Sequence, residues 1–547
     1  MRKKDGKSMA DEYSVGIDLG TTYSCIAYMD DDGSPAVDKN FEQEETTPSV
    51  ILFNENGEII VGSPAKDMAL MYPPDRIVTS IKRRMGTDYS VDIDGQKYTP
   101  VTLSATILRK MINDFNDNHG CDLRRAVITC PAYFGQEERD ATKLAGTVAG
   151  LEDVTIINEP TAAAISFGFG SPGGGSRRIL VYDLGGGTFD VTVLEIDGRS
   201  FTAVATDGER LLGGKDWDEA LTRVIVSKIA EQSGLDEGEI EADEDVRQSL
   251  AIDSETLKKR LSTAESTKGT ITVGGQKIIY TVTRAEFDAT TKPLLETTLD
   301  IVDRVLQSKG LVAADLDAVL LVGGSSRMPQ VRIGIENRFP GAKIEVYDPD
   351  QSVAKGAALF CRSNSAVQEA VATAASAAVG TEITMANAAA VAAENDIALP
   401  EDVLSVHNVL SKSFGIKASD ERGNEHISNI IFRNEVLPIS EVKTYYPMED
   451  GQISIKVEIY ESSAENNEEG RKIDVVDGTP VGEFEMGLPE NVTRDSPVVV
   501  TFTASDEGIL TASVECMDVR TDYRLQNKIL MSASEIGAAQ GLMDRVN

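Results

Sequence analysis

Val15–Met29 reads VGIDLGTTYSCIAYM, and Val181–Ile196 reads VYDLGGGTFDVTVLEI. Each is an apolar run ending in Asp, then Leu-Gly, a Gly/Thr-rich bend and a second apolar run. Two β-rich runs around a glycine bend predict a hairpin. Gly20 and the Gly185, Gly186, Gly187 run let the chain turn where a side chain would clash. With no Cβ in the way, several backbone N–H groups converge on one anion, which makes a phosphate cradle. Thr21, Thr22 and Thr188 add hydroxyl donors. Asp18 and Asp183 end the two first strands and face the same space. Carboxylates beside a triphosphate repel it unless a hard cation such as Mg²⁺, with its waters, lies between them. The two motifs together predict one nucleotide held between two related half-domains. One such bend alone reads as an ordinary hairpin in a β-rich core; a second copy with matched flanks reverses that preference. The chain carries no Walker A loop: at Gly6-Lys7-Ser8 the position of the first glycine is Met1, and no strand precedes it.

Further stretches follow in order between Tyr13 and Leu359: AVITCPAYF, IINEPTAAAISFG, LLGGKDWD, ETLKKRLSTAEST, VLLVGGSSRMPQV and DPDQSVAKGAAL. With GIDLGTTYSC and VYDLGGGTFDV, they make the chain resemble the Hsp70 family of molecular chaperones, in its DnaK-like bacterial form. A weaker resemblance covers about 410–530. The segment Ala132–Val154 lacks an insertion, which is similar to the Gram-positive type. The resemblance implies a multidomain protein: an α/β actin-like ATPase fold, duplicated in two lobes, then an all-β sandwich that binds peptide. The expected boundaries are an N-terminal extension over 1–12 and a nucleotide-binding domain over 13–362. An alanine-rich insert with the interdomain linker follows over 363–409, then the sandwich over 410–531. The start of a helical lid, otherwise missing, takes 532–547.

The same resemblance implies ATP hydrolysis with ATP/ADP and Mg²⁺, and K⁺ as a further ion. Asp18 and Asp183 hold Mg²⁺ through waters, and Thr21, Thr22, Tyr23 and Thr188 face the phosphates or orient the nucleophile. Lys82, in SIKRRMG, matches the lysine that contacts the γ-phosphate; on its own it reads as a solvated surface lysine. Glu159, in IINEPT, stands near the attacking water or metal shell; its plain reading is a carboxylate favouring a helix start, with Pro160 in the first turn. Glu255, Lys258, Lys259 and Ser262 match an adenosine clamp, although their helical spacing alone reads as a charged face. Gly323, Gly324, Ser325 and Arg327 match the segment under adenine and ribose, and Asp350 closes that side. Pro131 and Arg139 belong to a relay toward the outer face.

In the sandwich, alignment to the family makes Ile416, Tyr445 and Ile455 candidates to hold an extended apolar peptide, a recognition mode that combines strand-edge hydrogen bonds with side-chain pockets. Plain core is the alternative for each. The implied partners are unfolded or extended apolar peptides, a J-domain protein and a nucleotide exchange factor. Three departures weaken the coupling of the family. The linker is Asp402-Val403-Leu404-Ser405-Val406-His407-Asn408, with a diluted apolar face and Asn in place of a second Asp. Thr155 stands where bacterial members carry an arginine. The lid is nearly absent.

Length and composition agree with this reading. At 547 residues the chain needs two or three domains. A net charge of -36 argues against nucleic acid or an anionic membrane as partner. Five scattered cysteines fit a reducing, cytoplasmic setting. The start, MRKKDGKSMADEYS, has no apolar stretch behind its basic residues and is not expected to be a secretory signal. Strands are expected at Ser14–Asp18, Ser24–Met29, Ser49–Phe53, Arg125–Cys130, Val154–Ile157, Ile179–Asp183, Val191–Ile196 and Ala318–Val322. Helices are expected near Leu103–Asn118, Gln136–Ala149, Pro160–Phe167, Trp217–Ser233, Ser249–Leu261 and Arg284–Ser308. The acidic run Leu235–Asp245 reads as a solvated loop or helix end; the alanine-rich Asn364–Val379 and Ile383–Glu394, broken by Gly380, read as two short helices or a helical linker, with disorder as the competing reading. Period-two alternation at Ile453, Ile455, Val457 and Ile459, and at Val498, Val500 and Phe502, predicts half-buried strands. Asp506-Glu507-Gly508 marks a turn, and Ser534 caps a last helix. Two other functions compete: a small-molecule kinase of the same fold, and a non-cycling holdase or regulator.

Overall fold

The computed structural model describes residues 13–170, 175–374, 391–392, 397–400, 403–420, 422–463, 473–505, 508–525 and 531–546. The N-terminal extension, most of the 171–176 turn, much of the alanine-rich insert, Asp402 of the linker and the Asp506-Glu507 turn lie outside the described residues.

Val15–Asp18 and Tyr23–Met29 form the first hairpin, in register Ile17 opposite Ile26. Val15–Asp18 also pairs in parallel with Arg125–Cys130, which pairs in parallel with Asp153–Asn158. Pro35–Val37 continues the sheet on the other side. The second sheet repeats this order and sense. Arg177–Leu184 forms the hairpin with Phe189–Asp197, pairs in parallel with Ala318–Val322 and, through it, reaches Ile344–Val346; Ser200–Glu209 continues the far side. Central strands covered on both faces need apolar residues throughout, and VGID, AVITC and ILVYDL supply them.

One core fills the second unit around Trp217, Tyr182 and Phe189, and another fills the first around Phe115, Phe134 and Ile51. A third joins the sheets, mixing Val127 and Ile157 of the first with Val181 and Leu320 of the second. The helix Ser352–Ala374 seals that junction by close backbone approach. A Cβ on Gly16 would lie 2.2 Å from the Ala358 nitrogen, and one on Gly356 would lie 1.7 Å from the Ala162 carbonyl oxygen.

Strand ends fall within two residues of those expected; the helices at Gln136 and Arg284 start where expected, while others begin earlier, because caps set their starts. Thr99 caps Pro100–His119, and Asp243 caps Glu244–Leu261. The acidic run is not merely solvated. It forms the short helix Glu237–Ala242, pinned by Ile240, which is fully buried in the second core.

The C-terminal part is a pair of four-stranded antiparallel sheets. One orders Glu425–Ile431, Ser413–Ser419, Ser454–Ser462 and Thr479–Gly487; the other orders Ile439–Tyr445, Val498–Ala504, Leu510–Cys516 and Val519–Arg524. Phe414, Ile431, Ile459, Phe502 and Val514 are among the residues of the core between them. The alternation at Val498, Val500 and Phe502 points inward as expected. Ile453 does not: it lies before the strand and is 83% exposed. Tyr460, expected outside, is buried, because a bulge between Ile459 and Tyr460 shifts the register.

Asn364–Ala374 is no separate segment; it completes the Ser352–Ala374 helix, which runs without a break past residue 362. Ser405–His407 adds a parallel strand to the edge of the second sheet, Phe201 opposite Val406. The last helix, Ala533–Met543, is capped by Ser532 with Glu535, not by Ser534. Its Ala539 and Met543 join the first unit's core rather than the sandwich's.

Candidate functional site

The two bends meet across a cleft. A Cβ on Gly186 would lie 1.9 Å from Thr22 Oγ1, and one on Gly187 would lie 2.2 Å from Thr21 Cγ2. Only glycine lets the two loops touch in this way. Beneath them is a cavity of about 660 Å³, a size that suits a nucleotide-sized ligand. Its lining gathers Asp18, Gly20, Thr21, Thr22, Tyr23, Lys82, Glu159, Asp183, Gly185, Gly186 and Thr188 with Glu255, Lys258, Lys259, Ser262, Gly323, Gly324, Ser325, Arg327 and Asp350. Gly187 is set back from the cavity: its carbonyl accepts from Arg83 Nε at 2.7 Å.

The floor is acidic. Asp18 ends its strand and accepts from Thr129 Oγ1, on the parallel neighbour, at 3.0 Å. Asp183 lies under Gly323, where a Cβ would come within 2.4 Å of Asp183 Oδ1; Gly323 also has φ 77, so glycine is needed twice over. Lys82 sits on the turn Ile81–Arg84 and is ion-paired with Glu159, the first residue of the helix Glu159–Gly170. Glu159 therefore fills both readings, helix-start carboxylate and cleft residue. Both side chains of this pair are buried. Asp190, not singled out from the sequence, is also buried here. It stands directly opposite Asp183 in the hairpin and accepts from the backbone N–H of Ala132 at 2.9 Å. A hairpin partner position is the signal that would have found it.

Three buried carboxylates, Glu159, Asp183 and Asp190, and the half-buried Asp18 thus surround the Lys82 ammonium, and their acidities record it. Burial pushes Asp183 and Asp190 well above the usual carboxylate range, with neighbouring carboxylates adding to the effect. Burial raises Glu159 to about 7 against the pull of Lys82. Asp18 is raised by burial too, with Lys82 and Thr129 opposing. Burial works to lower Lys82, and the charges of Glu159 and Asp18 outweigh it. Uncompensated buried charge is costly and draws in either protons or a cation.

These residues fit Mg²⁺ of the kind that keeps its waters. Among the described residues no group of three or more His, Cys, Asp or Glu forms a direct metal cage. Mg²⁺ characteristically binds one or two carboxylates through water, together with substrate phosphates. Thr21 Oγ1, buried in the cradle, has no hydrogen-bond partner, leaving a hydroxyl for an anion.

The roof is tied across the cleft. Glu255 accepts from Lys66 at 2.6 Å and Tyr23 Oη at 3.2 Å, and pairs with Lys259 at 2.7 Å. Burial opposes, yet these cations hold its carboxyl down to about 2. Lys258 turns inward to Asp218 at 2.9 Å, and Arg327 pairs with Asp350 at 2.6 Å. Lys66 and Asp218 were not anticipated from the sequence.

A hydrogen-bonded path leads outward. Arg139 donates to Asn158 Oδ1 at 2.6 Å and to the carbonyls of Ala132 and Phe134. Asn158 Nδ2 donates to Asn408 Oδ1 at 3.2 Å, and Thr161 Oγ1 donates to the same oxygen at 3.3 Å. Asn408 of the linker is thus held by the Asn158 amide and the Thr161 hydroxyl; Thr155 is buried and its hydroxyl has no partner. The sandwich also touches the second sheet: Thr206 N–H donates to Asn434 Oδ1 at 2.9 Å, and Arg433 reaches the Thr206 carbonyl at 3.2 Å. Of the peptide-site candidates, Ile416 is buried in the sandwich core, Ile455 is half-buried, and Tyr445 donates to Ser428 Oγ at 2.9 Å.

Two sheets of one topology closed around a glycine-lined acidic cleft, with a β-sandwich attached by a strand-forming linker, define a two-lobed cleft protein with an appended β-domain. The family model described as Hsp70 protein matches residues 14–371. Proteins named "Chaperone protein DnaK" from Thermotoga petrophila and Thermotoga maritima are 36% identical over 512 residues, covering 92% of this chain and 78% of theirs. That of Thermosipho africanus is 36% identical over 511 residues with the same coverage. The chain belongs to the Hsp70 family.

Proposed function

We propose that this chain is an ATP-dependent chaperone: a duplicated, actin-like ATPase whose nucleotide state sets how the β-sandwich holds extended apolar peptide. The observation that carries this reading is the meeting of the twin glycine bends above the carboxylates of Asp18, Glu159, Asp183 and Asp190 and the Lys82 ammonium. Mg²⁺ bound there supplies charge neutralisation for a triphosphate, the main requirement of phosphoryl transfer. Asp18 and Asp183 would hold it through water, and the acidic floor would suit K⁺ as a further ion. The backbone N–H groups and hydroxyls of residues 20–22 and 185–188 cradle phosphate. Lys82 draws negative charge from the γ-phosphate. Glu159, whose acidity lies near neutrality, orients the attacking water and accepts its proton as water oxygen bonds to phosphorus and ADP leaves. Glu255, Lys259, Ser262, Arg327 and Asp350 frame the nucleoside, while Lys258 braces the wall from Asp218.

Ile416, Tyr445 and Ile455 are the proposed peptide contacts, and Asn158, Thr161 and Asn408 report nucleotide state to the sandwich. J-domain and nucleotide exchange partners follow from the family, and five cysteines outside any disulfide support a reducing, cytoplasmic setting. Among the described residues no helix is long and apolar enough to cross a membrane. Anisotropy of a labelled apolar peptide tests the proposal. A coupled machine binds it more weakly with Mg·ATP than with ADP; equal affinities leave a holdase without coupling.

A further inference from the structure

The alanine-rich insert is the part of the chain the ATPase and the sandwich leave without a role. Its described residues form a small core of their own. Val367 and Val371, on the last turns of the Ser352–Ala374 helix, are 3% and 0% exposed; Val391 and Ala392 pack on them at 8% and 2%. Ile397 and Val403 complete the cluster. Val403 is the head of the linker. The next residue, Leu404, donates its backbone N–H to Ser363 Oγ, on the same helix, at 2.8 Å. Ser405 N–H then donates to the Arg199 carbonyl at 3.0 Å, and the strand Ser405–His407 begins. Arg125 Nη1, on the first sheet, donates to Gln368 Oε1 at 3.1 Å and fixes the helix extension from the other side.

A three-residue parallel strand on a sheet edge has little to hold it, and Ser405 and His407 contribute no apolar surface. Only Leu404 and Val406 pack on the core between the two sheets. The insert supplies apolar burial immediately before that strand.

We propose that the insert is a built-in clamp for the linker: it seats Val403 in the Val367–Val371–Val391 cluster and so keeps the linker strand docked whatever nucleotide is bound. The inference rests on the family reading only in taking 403–409 as the linker. The clamp replaces, by burial beside the strand, the anchoring that a more apolar linker would provide by itself. Sandwich and ATPase are then held near one another, and nucleotide acts on how the sandwich sits rather than on whether the linker is free.

Hydrogen exchange of the full chain, read by mass spectrometry over 403–409, tests this with ADP and with Mg·ATP. Wild type should show protected Leu404 and Ser405 amides in both states. Val367→Ser/Val371→Ser and, separately, Val391→Ser should speed their exchange about tenfold with ADP, the loss expected for one buried aliphatic side chain. Nucleotide binding by each variant should match wild type. If the double variant does not fold, Val391→Ser carries the test, since it lies outside the ATPase sheets and helices. Linker amides that exchange freely in wild type with ADP, or that are equally protected in Val391→Ser, overturn the clamp. Loss of nucleotide binding in wild type strikes the family reading instead, so the two failures are told apart.

Discussion

Replacing Lys82 by alanine removes the one ammonium among Asp18, Glu159, Asp183 and Asp190. The Lys82 and Glu159 side chains are 6% and 7% exposed, so water cannot stand in for the lost charge. Breaking a buried pair from one side costs about 3–5 kcal/mol if the remaining charge stays ionised. Glu159 has a cheaper course. Already raised to about 7 by burial, it loses its main opposing influence and keeps its proton to higher pH, which costs about 1.4 kcal/mol per pH unit between about 7 and its new, higher value. The expected loss of stability from this course is therefore slight at neutral pH and grows to about 1–3 kcal/mol at about one to two pH units above it. Glu159→Gln on the Lys82→Ala background should recover most of it, because an amide needs no counter-charge. Turnover should respond more than stability. An electrostatic group aimed at charge developing in the transition state is worth about 10²–10³-fold in rate. Single-turnover hydrolysis of Mg·ATP, with affinity measured by calorimetry, separates the two effects. Wild-type turnover in Lys82→Ala, or a rate loss wholly explained by weaker ATP binding, would refute the reasoning.

Other outcomes follow from the interface and the packing. Glu461 of the sandwich faces Glu138 above Gly135, where a Cβ would lie 3.2 Å and 3.1 Å from their oxygens. Burial first, and then Glu138 and Glu137, push its carboxyl up to about 7, with Lys412 opposing. A carboxyl raised in the docked form favours docking at low pH; that contribution is full below the ordinary value of about 4.3 and gone above about 7. Interdomain energy transfer should fall over this window, and Glu461→Gln should flatten it. Asn408→Ala deletes the oxygen shared by Asn158 and Thr161. It should weaken the ATP-driven change in peptide affinity by about 1 kcal/mol, read by peptide anisotropy. Gly356→Ala drives a methyl to 1.7 Å from the Ala162 carbonyl, in the helix that begins at Glu159. Overpacking of this kind costs about 1–3 kcal/mol or more, so denaturant melts should show loss of stability, with hydrolysis impaired in parallel.

The hairpins, their bends and the central strands were legible because local rules govern them: an Asp-Leu-Gly bend between apolar runs leaves few alternatives. Asp190 was not, because an Asp at the head of VTVLEI, just after the bend, reads as a strand-end carboxylate until Asp183 is known to stand opposite. Ile240 hid in a run dominated by carboxylates, where one apolar residue gives no period. Tyr460 moved inside through a bulge, a one-residue event that alternation cannot announce. The linker strand depends on an edge some two hundred residues earlier in the chain, at Ser200–Thr202, and edge pairing of this range leaves no local trace. Asn364–Ala374 was set apart for its alanine content, yet alanine is the best helix former, and the preceding helix continues through it.

The central claim is that the twin bends grip one metal-bound triphosphate. A crystal structure with Mg²⁺ and a non-hydrolysable ATP analogue measures it directly. The phosphates should lie between Gly20–Thr22 and Gly185–Thr188, with the metal's waters on Asp18 and Asp183. Phosphates bound elsewhere, or bends separated with the cleft empty at saturating nucleotide, would contradict it.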